Sequence, residues 1–531
     1  MLYKKESAYR GPFPAATTPA HFATLSLSRR LLCNWAFLPL LAIFLFFYYA
    51  ALLTNGDFIL WAPAIRPGDS GQSDLGFIFN STLLHLLKGD FTVDLDAIGF
   101  EALIRNGQVY TYFGVMPAVL RLPLLPFVDL ARIDVAPLSC CIAASLATLL
   151  KVSALRTACT ASTARTRSDV LVWVLFASFV LGGSTLPFLR ATVYQEAILW
   201  EGVFAVWFVL LALRGLTAPD GFAARRLVLM AIVAGCCLLT RVVMATGLYV
   251  GCLALLAWRL GAEMSESSRG IAGPIHTGLG AGLRLLSRGR FVAPLLVLVL
   301  FASAAGFINH QRFGNPLVFG NFSIQTHVPT SHGVHVEGVA ALEQYGEFNP
   351  RRIPYGLMYY FAPVWWVHSG DGDLLFDDYR RRELDLAEPP PSSFFLTDPL
   401  LLVLAAAGLG ALWRRNRMAL SRPAAGAIAA GLALPPVLLL MAFTMAFRYR
   451  MEFYPLLVFL ALIGAFGTRP EFPPPRPRSA TGLILLAMIG IIASHLVLAA
   501  YKLSPYGNLH REDYLLQRYQ TGLHGFLARR L

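Results

Sequence analysis

Long apolar runs recur along nearly the whole chain, and short stretches carrying Arg, Lys, Gly and Pro separate them. About 20 such residues suffice to cross a bilayer as a helix. Judged by apolar length, the candidate spans are residues 31–54, 133–151, 170–189, 195–213, 227–241, 242–258, 291–309, 398–413, 423–447, 454–467 and 481–501. The pattern predicts an all-α polytopic membrane protein with about 11 transmembrane helices. The two spans meeting near Arg241 are short, so they are either one broken helix or two tilted ones. Two long segments, 55–132 and 310–397, interrupt the series, and both are rich in aromatic residues. Loops of that length carry function or are disordered, and the aromatic content argues against disorder.

Composition and charge sharpen this picture. The chain has 531 residues, of which 56% are hydrophobic and 14% charged, against the roughly 25% charged of a soluble domain. A soluble secreted enzyme behind one signal peptide is thereby excluded. The formal net charge of +13 does not point to nucleic acid, because Lys and Arg gather in short loops between spans, as membrane orientation requires. With the N-terminus inside, the inner loops hold Lys151, Arg156, Arg165 and Arg167, then Arg214, Arg225 and Arg226, then Arg259 to Arg290. Later inner loops hold Arg414, Arg415, Arg417 and Arg422, then Arg469, Arg476 and Arg478. Residues 1–30 read as a cytoplasmic tail before a retained signal anchor. Residues 31–502 form the transmembrane domain, with outer loops 55–132 and 310–397, and 503–531 form an outer tail. Counting the apolar segment Tyr112–Val128 as a full crossing would turn the Lys151–Arg167 cluster outward. It therefore reads as a re-entrant or interfacial helix, in keeping with Arg121 and its three prolines. Residues 263–290, rich in Gly, Ser and Arg, read as an inner linker. The seven cysteines show no disulfide framework and no metal-ligand spacing.

Candidate chemistry collects in the outer loops and at outer span ends. Asp69 and Asp74 stand in and just after a Gly-flanked turn, Gly68–Gly71, ahead of an amphipathic stretch with a stripe of Ser81, His85 and Lys88. A carboxylate there can act as a general base or bind a divalent cation; equally, Asp and Ser residues at such a place cap a helix. Tyr110-Thr111-Tyr112-Phe113-Gly114 leads into a Pro-broken apolar run, which suits a wall of a cavity or an interfacial aromatic anchor. Arg190, Tyr194 and Glu196 join two spans, Arg241 ends another, and Arg448-Tyr449-Arg450-Met451-Glu452 joins two more. Arginines at that level either bind a lipid phosphate or snorkel to headgroups. Arg448 and Arg450 oppose the inner-basic rule, which favours a cavity role. Glu201 lies deeper than Glu196 and is a candidate for a buried pair with Arg190 or Arg241. In the second loop, His327, His332, His335 and Glu337, then Trp365, Trp366, His368, Asp371 and Asp373, lack a helix-compatible zinc signature.

Together these residues resemble a known group. The first span, the long loop with an early Asp, Tyr-x-Tyr-Phe-Gly-x-x-Pro at 110–117, Tyr194-Gln195-Glu196 and Arg448-Tyr449-Arg450-Met451-Glu452-Phe453-Tyr454-Pro455 are similar to bacterial membrane glycosyltransferases of the GT-C fold. That group includes protein mannosyltransferases and aminoarabinose transferases, and the likeness covers about residues 31–467. It implies a multi-pass protein of the bacterial inner membrane, with its active site facing the periplasm or exterior. The implied donor is a polyprenyl-phosphate-linked sugar, and the acceptor a glycan, lipid or protein. Asp69, then Asp74, takes the place of the acidic residue that serves as base or coordinates metal. Tyr112, Arg190, Tyr194, Glu196, Arg241, Arg448 and Arg450 fall to substrate binding. The group's common Asp-Glu pair is absent, since Ser70 follows Asp69. Lipid phosphate as leaving group removes the need for a nucleotide-binding loop, and no Gly-rich phosphate motif is present. Two other readings stand beside this one: a transporter or flippase of a lipid-linked glycan, which calls for charges near mid-membrane, and a non-catalytic envelope-assembly scaffold.

Overall fold

The computed structural model describes residues 36–63, 75–161, 169–218, 220–270, 289–319, 344–362, 392–414, 418–468 and 480–503, together with Leu32, Asn34, Leu384 and Leu386–Ala387. Each apolar run expected from the sequence forms a helix there. They are α1 (Phe37–Leu53), α3 (Ala136–Ala161), α4 (Asp169–Leu181), α5 (Val193–Thr217), α6 (Ala224–Leu238), α7 (Val242–Gly270), α8 (Gly289–Phe313), α10 (Pro399–Trp413), α11 (Arg422–Met441), α12 (Tyr454–Phe466) and α13 (Ala480–Leu503). Two shorter helices stand in the loops, α2 (Ile78–Leu86) and α9 (Ile353–Phe361). Among the described residues eight spans are long and apolar enough to cross a membrane, while Phe37–Leu53 and Pro399–Trp413 are apolar but shorter. The chain is a multi-pass membrane protein.

Burial sorts the helices into a centre and a rim. Of the most apolar stretch of α5, 94% is buried, and 89% of the one spanning Phe447–Phe466; for α8 the share is 22% and for α13 it is 33%. The rim helices turn Leu296, Val299, Leu300 and Ile489 outward, the arrangement expected where lipid replaces water as solvent. Helix contacts rest on small residues. An added Cβ on Gly431 of α11 would lie 2.6 Å from the Gly247 carbonyl and from Gly251 Cα on α7, so the Gly247-x-x-x-Gly251 pair admits the neighbouring backbone directly. Gly408 of α10 and Gly464 of α12 meet in the same way.

Of the two alternatives for the spans near Arg241, the structure has two helices, separated by the turn Leu239–Arg241 and packed against each other. Other expectations are corrected. Lys151 does not lie in a basic inner loop: α3 runs on to Ala161, and Lys151 is buried within it. There its Nζ donates to Ser184 Oγ and Thr185 Oγ1, both at 2.7 Å, and those two hydroxyls permit an amine at that depth. The Tyr112–Val128 segment is not one helix but two short turns, Met116–Val119 and Leu122–Leu124, because Pro117 and Pro123 each deny the backbone a donor. The expected linker at 263–290 begins as helix, since α7 continues to Gly270.

Three two-stranded pairings fasten the loops. β1 (Ala62–Pro63) pairs antiparallel with β4 (Ile133–Asp134), and β5 (Leu386–Ala387) pairs parallel with β6 (Thr444–Met445). β2 (Leu103–Arg105) and β3 (Gln108–Tyr110) form a hairpin. Its turn is Asn106-Gly107, with φ of 52° and 75°, the left-handed pair that a tight two-residue hairpin requires.

Candidate active site

The loop-bearing end of the bundle holds a cavity of about 620 Å³. One wall is the loop segment Tyr112–Val115, seated on the turn between α6 and α7: Met116 N donates to the Leu239 carbonyl at 2.9 Å. Gly114 makes this seat possible, because a Cβ there would strike the carbonyls of Leu239 and Thr240. The other walls come from the first turn of α5 (Tyr194, Ala197), the start of α7 (Arg241 to Thr246), the end of α8 (Ala305 to Arg312), Glu347 and Phe348, and the Arg448–Tyr449 corner. The start of α5 is fixed by Thr192, whose hydroxyl accepts the Gln195 N–H as an N-cap. Tyr194 is thereby held at the cavity.

Four of the expected substrate-binding residues, Tyr112, Tyr194, Arg241 and Arg448, line this one cavity. Tyr112 Oη donates to Glu101 Oε2 at 2.9 Å, and Tyr194 Oη donates to Glu101 Oε1. Burial and the adjoining Glu101 carboxylate hold the Tyr112 phenol well above its ordinary pKa, so it remains a neutral hydroxyl. The Arg448 guanidinium lies 4.5 Å from the Tyr194 ring centroid and 5.3 Å from that of Tyr449, a cation resting on aromatic faces. Arg241 is held from behind: its Nε bonds Glu201 at 2.7 Å and its Nη2 bonds Glu452 at 2.8 Å. Glu201 thus pairs with Arg241, one of the two partners its depth allowed.

Three other candidates, Glu196, Arg450 and Arg190, are placed away from the cavity lining. Glu196 is fully buried against Arg121 at 2.6 Å, and Arg121 also donates to Asn80 Oδ1. Asn80 in turn donates to the carbonyls of Leu130 and Ile133, so Glu196 ties the first loop to the bundle. Arg450 is 1% exposed and points inward to Asp398 at 3.3 Å, beneath the Phe394 ring. Arg190 is half-buried; its carbonyl accepts the Cys140 thiol, and it does not border the cavity. Asp69, Asp74 and the His327–Asp373 group lie outside the described residues. Among the described residues no group of three or more His, Cys, Asp or Glu side chains is placed to hold a metal ion.

The polar stripe on α2 does converge. Ser81 Oγ donates to Asp94 at 2.8 Å, and the His85 ring lies between Asp90, at 3.1 Å, and Asp94, at 3.3 Å. Burial tends to raise the Asp90 carboxyl, but hydrogen bonds from Thr92 and His85 outweigh it and hold the group at about 2. This cluster braces the loop and does not line the cavity.

Two site residues escape a reading of the sequence. Glu101 sits in an unremarked Gly-Phe-Glu-Ala stretch with no spacing signal. Arg312 lines the cavity, and it did carry a signal: it stands at the outer end of an apolar run, as Arg448 does, against the inner-basic rule.

No family model and no curated protein matches the chain. Among solved structures it is similar to the archaeal oligosaccharyltransferase AglB from Archaeoglobus fulgidus, solved in complex with an inhibitory peptide and a dolichol-phosphate. The identity is 14% and the TM-score 0.40, over 88% of this chain and 56% of that one. The chain thus spans little more than half the length of that protein. So distant a likeness assigns no role to any residue here.

Proposed function

We propose that this protein is a membrane glycosyltransferase that moves a sugar from a polyprenyl-phosphate donor to an extracytoplasmic glycan, lipid or protein acceptor. The observation that carries the reading is the make-up of the cavity. Apolar walls from α7 and α8 meet a rim of two tyrosines, two aromatic-stacked or carboxylate-held arginines and, behind the tyrosines, a carboxylate. Such a space accepts a ligand with an apolar chain, an anionic joint and a hydroxyl-rich head. Tyrosine rings and phenols suit the head, guanidinium groups the joint, and the helix faces the chain.

In this reading a loop carboxylate, Asp69 before Asp74, takes the proton of the acceptor hydroxyl. The acceptor oxygen bonds the anomeric carbon, and the bond from that carbon to the phosphate oxygen breaks. Polyprenyl phosphate leaves with the electron pair, its charge met by arginines. A divalent cation held by the same loop would serve the leaving phosphate. Helix α5 carries Arg214 about 30 Å along its axis from Tyr194, and basic loops mark the cytoplasmic side. In the same reading the protein sits in a bacterial inner membrane with the cavity facing the periplasm or exterior.

The test is direct. Purified full-length protein in nanodiscs is incubated with a panel of polyprenyl-phosphate sugars, with and without Mg²⁺ or Mn²⁺ and with soluble acceptors. Release of polyprenyl phosphate with a new glycosidic bond supports the proposal. Movement of intact lipid-linked glycan between leaflets without cleavage would make it a transporter.

A further inference from the structure

Arg312 is the third arginine of the cavity, and its charge stands uncompensated. Four arginines are buried among the described residues: Arg121, Arg312, Arg352 and Arg450. Arg121 and Arg450 face Glu196 and Asp398, and Arg352 donates to the carbonyls of Gly346, Glu347 and Met441. Arg312, 3% exposed, donates only from Nη1, to the Phe113 carbonyl at 2.8 Å. Among the described residues its Nε and Nη2 have no partner, and it forms no ion pair. Burying a cation without a counter-charge is costly, so a group left in this state calls for an occupant.

The pattern of free atoms identifies that occupant by chemistry. In a guanidinium, Nε–H and one Nη2–H point the same way and form a two-pronged edge that matches two oxygens of one oxyanion. On Arg241 that edge is already taken by Glu201 and Glu452. On Arg312 it is unpartnered and buried, at a residue that borders the same cavity as Tyr112 and Tyr194, so an oxyanion reaches it from the cavity by displacing the atoms packed over it. Phe113, whose carbonyl accepts the Nη1 hydrogen bond, is the neighbour of Tyr112, so the wall that presents the phenols also bears on the guanidinium. The apolar residues Ala305 and Ile308 stand on the same helix below it.

We infer that Arg312 is the phosphate anchor of the cavity, binding an oxyanion through Nε and Nη2, with Arg241 and Arg448 in supporting positions. The inference rests on the proposed donor for its source of phosphate, a polyprenyl phosphate. The oxyanion chemistry is the same for free phosphate.

The experiment uses full-length protein in phosphatidylcholine nanodiscs. Undecaprenyl phosphate, undecaprenol and inorganic phosphate are added separately, and binding is read by native mass spectrometry and by the rise in Tm. Wild type is expected to bind undecaprenyl phosphate and not undecaprenol. Arg312→Met, close in length and apolar, is expected to weaken that binding by about tenfold or more, the loss of one charge-assisted fork. Without ligand its Tm should equal or exceed that of wild type, because it removes an unpaired buried charge. A structural arginine would give the opposite Tm result. Arg312→Lys should recover part of the binding, as a point charge without the fork. Competition by millimolar inorganic phosphate would show that the anion alone is recognised; its absence would show that the lipid is needed as well. Binding of undecaprenyl phosphate by Arg312→Met within twofold of wild type, no binding by wild type, or a lower ligand-free Tm in Arg312→Met would each overturn the assignment. Sound binding at Arg312 without any sugar release would leave the anion site standing and sink the transferase reading instead.

Discussion

Glu101 accepts a hydrogen bond from each of two phenols, and this sets what the tyrosines can offer a ligand. With their protons committed, the Tyr112 and Tyr194 oxygens act as acceptors and suit the hydroxyl donors of a sugar. Glu101→Gln retains only one carbonyl oxygen, so one phenol is released and reorients. The expected result is a fall in kcat/KM of about tenfold to a hundredfold, the range for a hydrogen bond to a charged group, with Tm nearly unchanged, measured as polyprenyl phosphate release. Asp69 separates two roles by magnitude. General-base loss costs about 10² to 10⁴ in rate, whereas loss of an N-cap costs about 1 kcal/mol of stability. Asp69→Asn should therefore abolish most turnover at unchanged Tm; turnover within a few-fold of wild type would pass the role to Asp74. Asp90 gives a pH signature. Its folded carboxyl, at about 2, lies below its ordinary 3.8, so its contribution to stability is full above pH 4 and fades as the pH falls toward 2. The Tm deficit of Asp90→Asn should be small, as the side chain is 46% exposed, and should vanish over that interval.

At the scale of helices, the approach of α7 and α11 leaves no room for a side chain at Gly431. Gly431→Val would press a branched side chain onto the Gly247 carbonyl and the Gly251 backbone, at a cost of about 1–3 kcal/mol for overpacking. Gly426→Ala on the same helix meets open space and should leave Tm unchanged or slightly raised. The pair of variants, compared by thermal unfolding in detergent, tests the packing and not merely helix propensity. The existence of the helices was legible in the sequence because apolar length alone decides it in a bilayer. Where the reading erred, a pairing decided. Lys151 looks like a loop residue until Ser184 and Thr185, on another helix end, are seen to solvate it. Tyr112–Val128 looks like a helix, but Pro117 and Pro123 break it into two turns, and Arg121 between them turns inward to Glu196.

For the molecule as a whole, the site is assembled from chain segments far apart. Arg312 meets Phe113 across 199 positions, and Arg241 meets Glu452 across 211. Local pattern could nominate Arg241 and Arg448, which stand at outer span ends, and the family resemblance Tyr112 and Tyr194. It could not distinguish Arg450, which turns away, from Arg448, which does not, because the difference is the presence of Asp398 behind one of them. Sidedness is testable at this scale: a single cysteine near Arg414 should resist membrane-impermeant maleimide in intact cells, and one at Lys88 should react. Synthesis order adds one further consequence of helix α5, the most enclosed of the spans. Its two carboxylates find their counter-charges at different moments. Glu196 emerges after Arg121 and has a partner waiting, whereas Glu201 must wait for Arg241. A nascent chain halted between Glu201 and Arg241 carries an unmatched carboxylate into hydrocarbon, so α5 stays beside the insertion machinery until the following hairpin has entered.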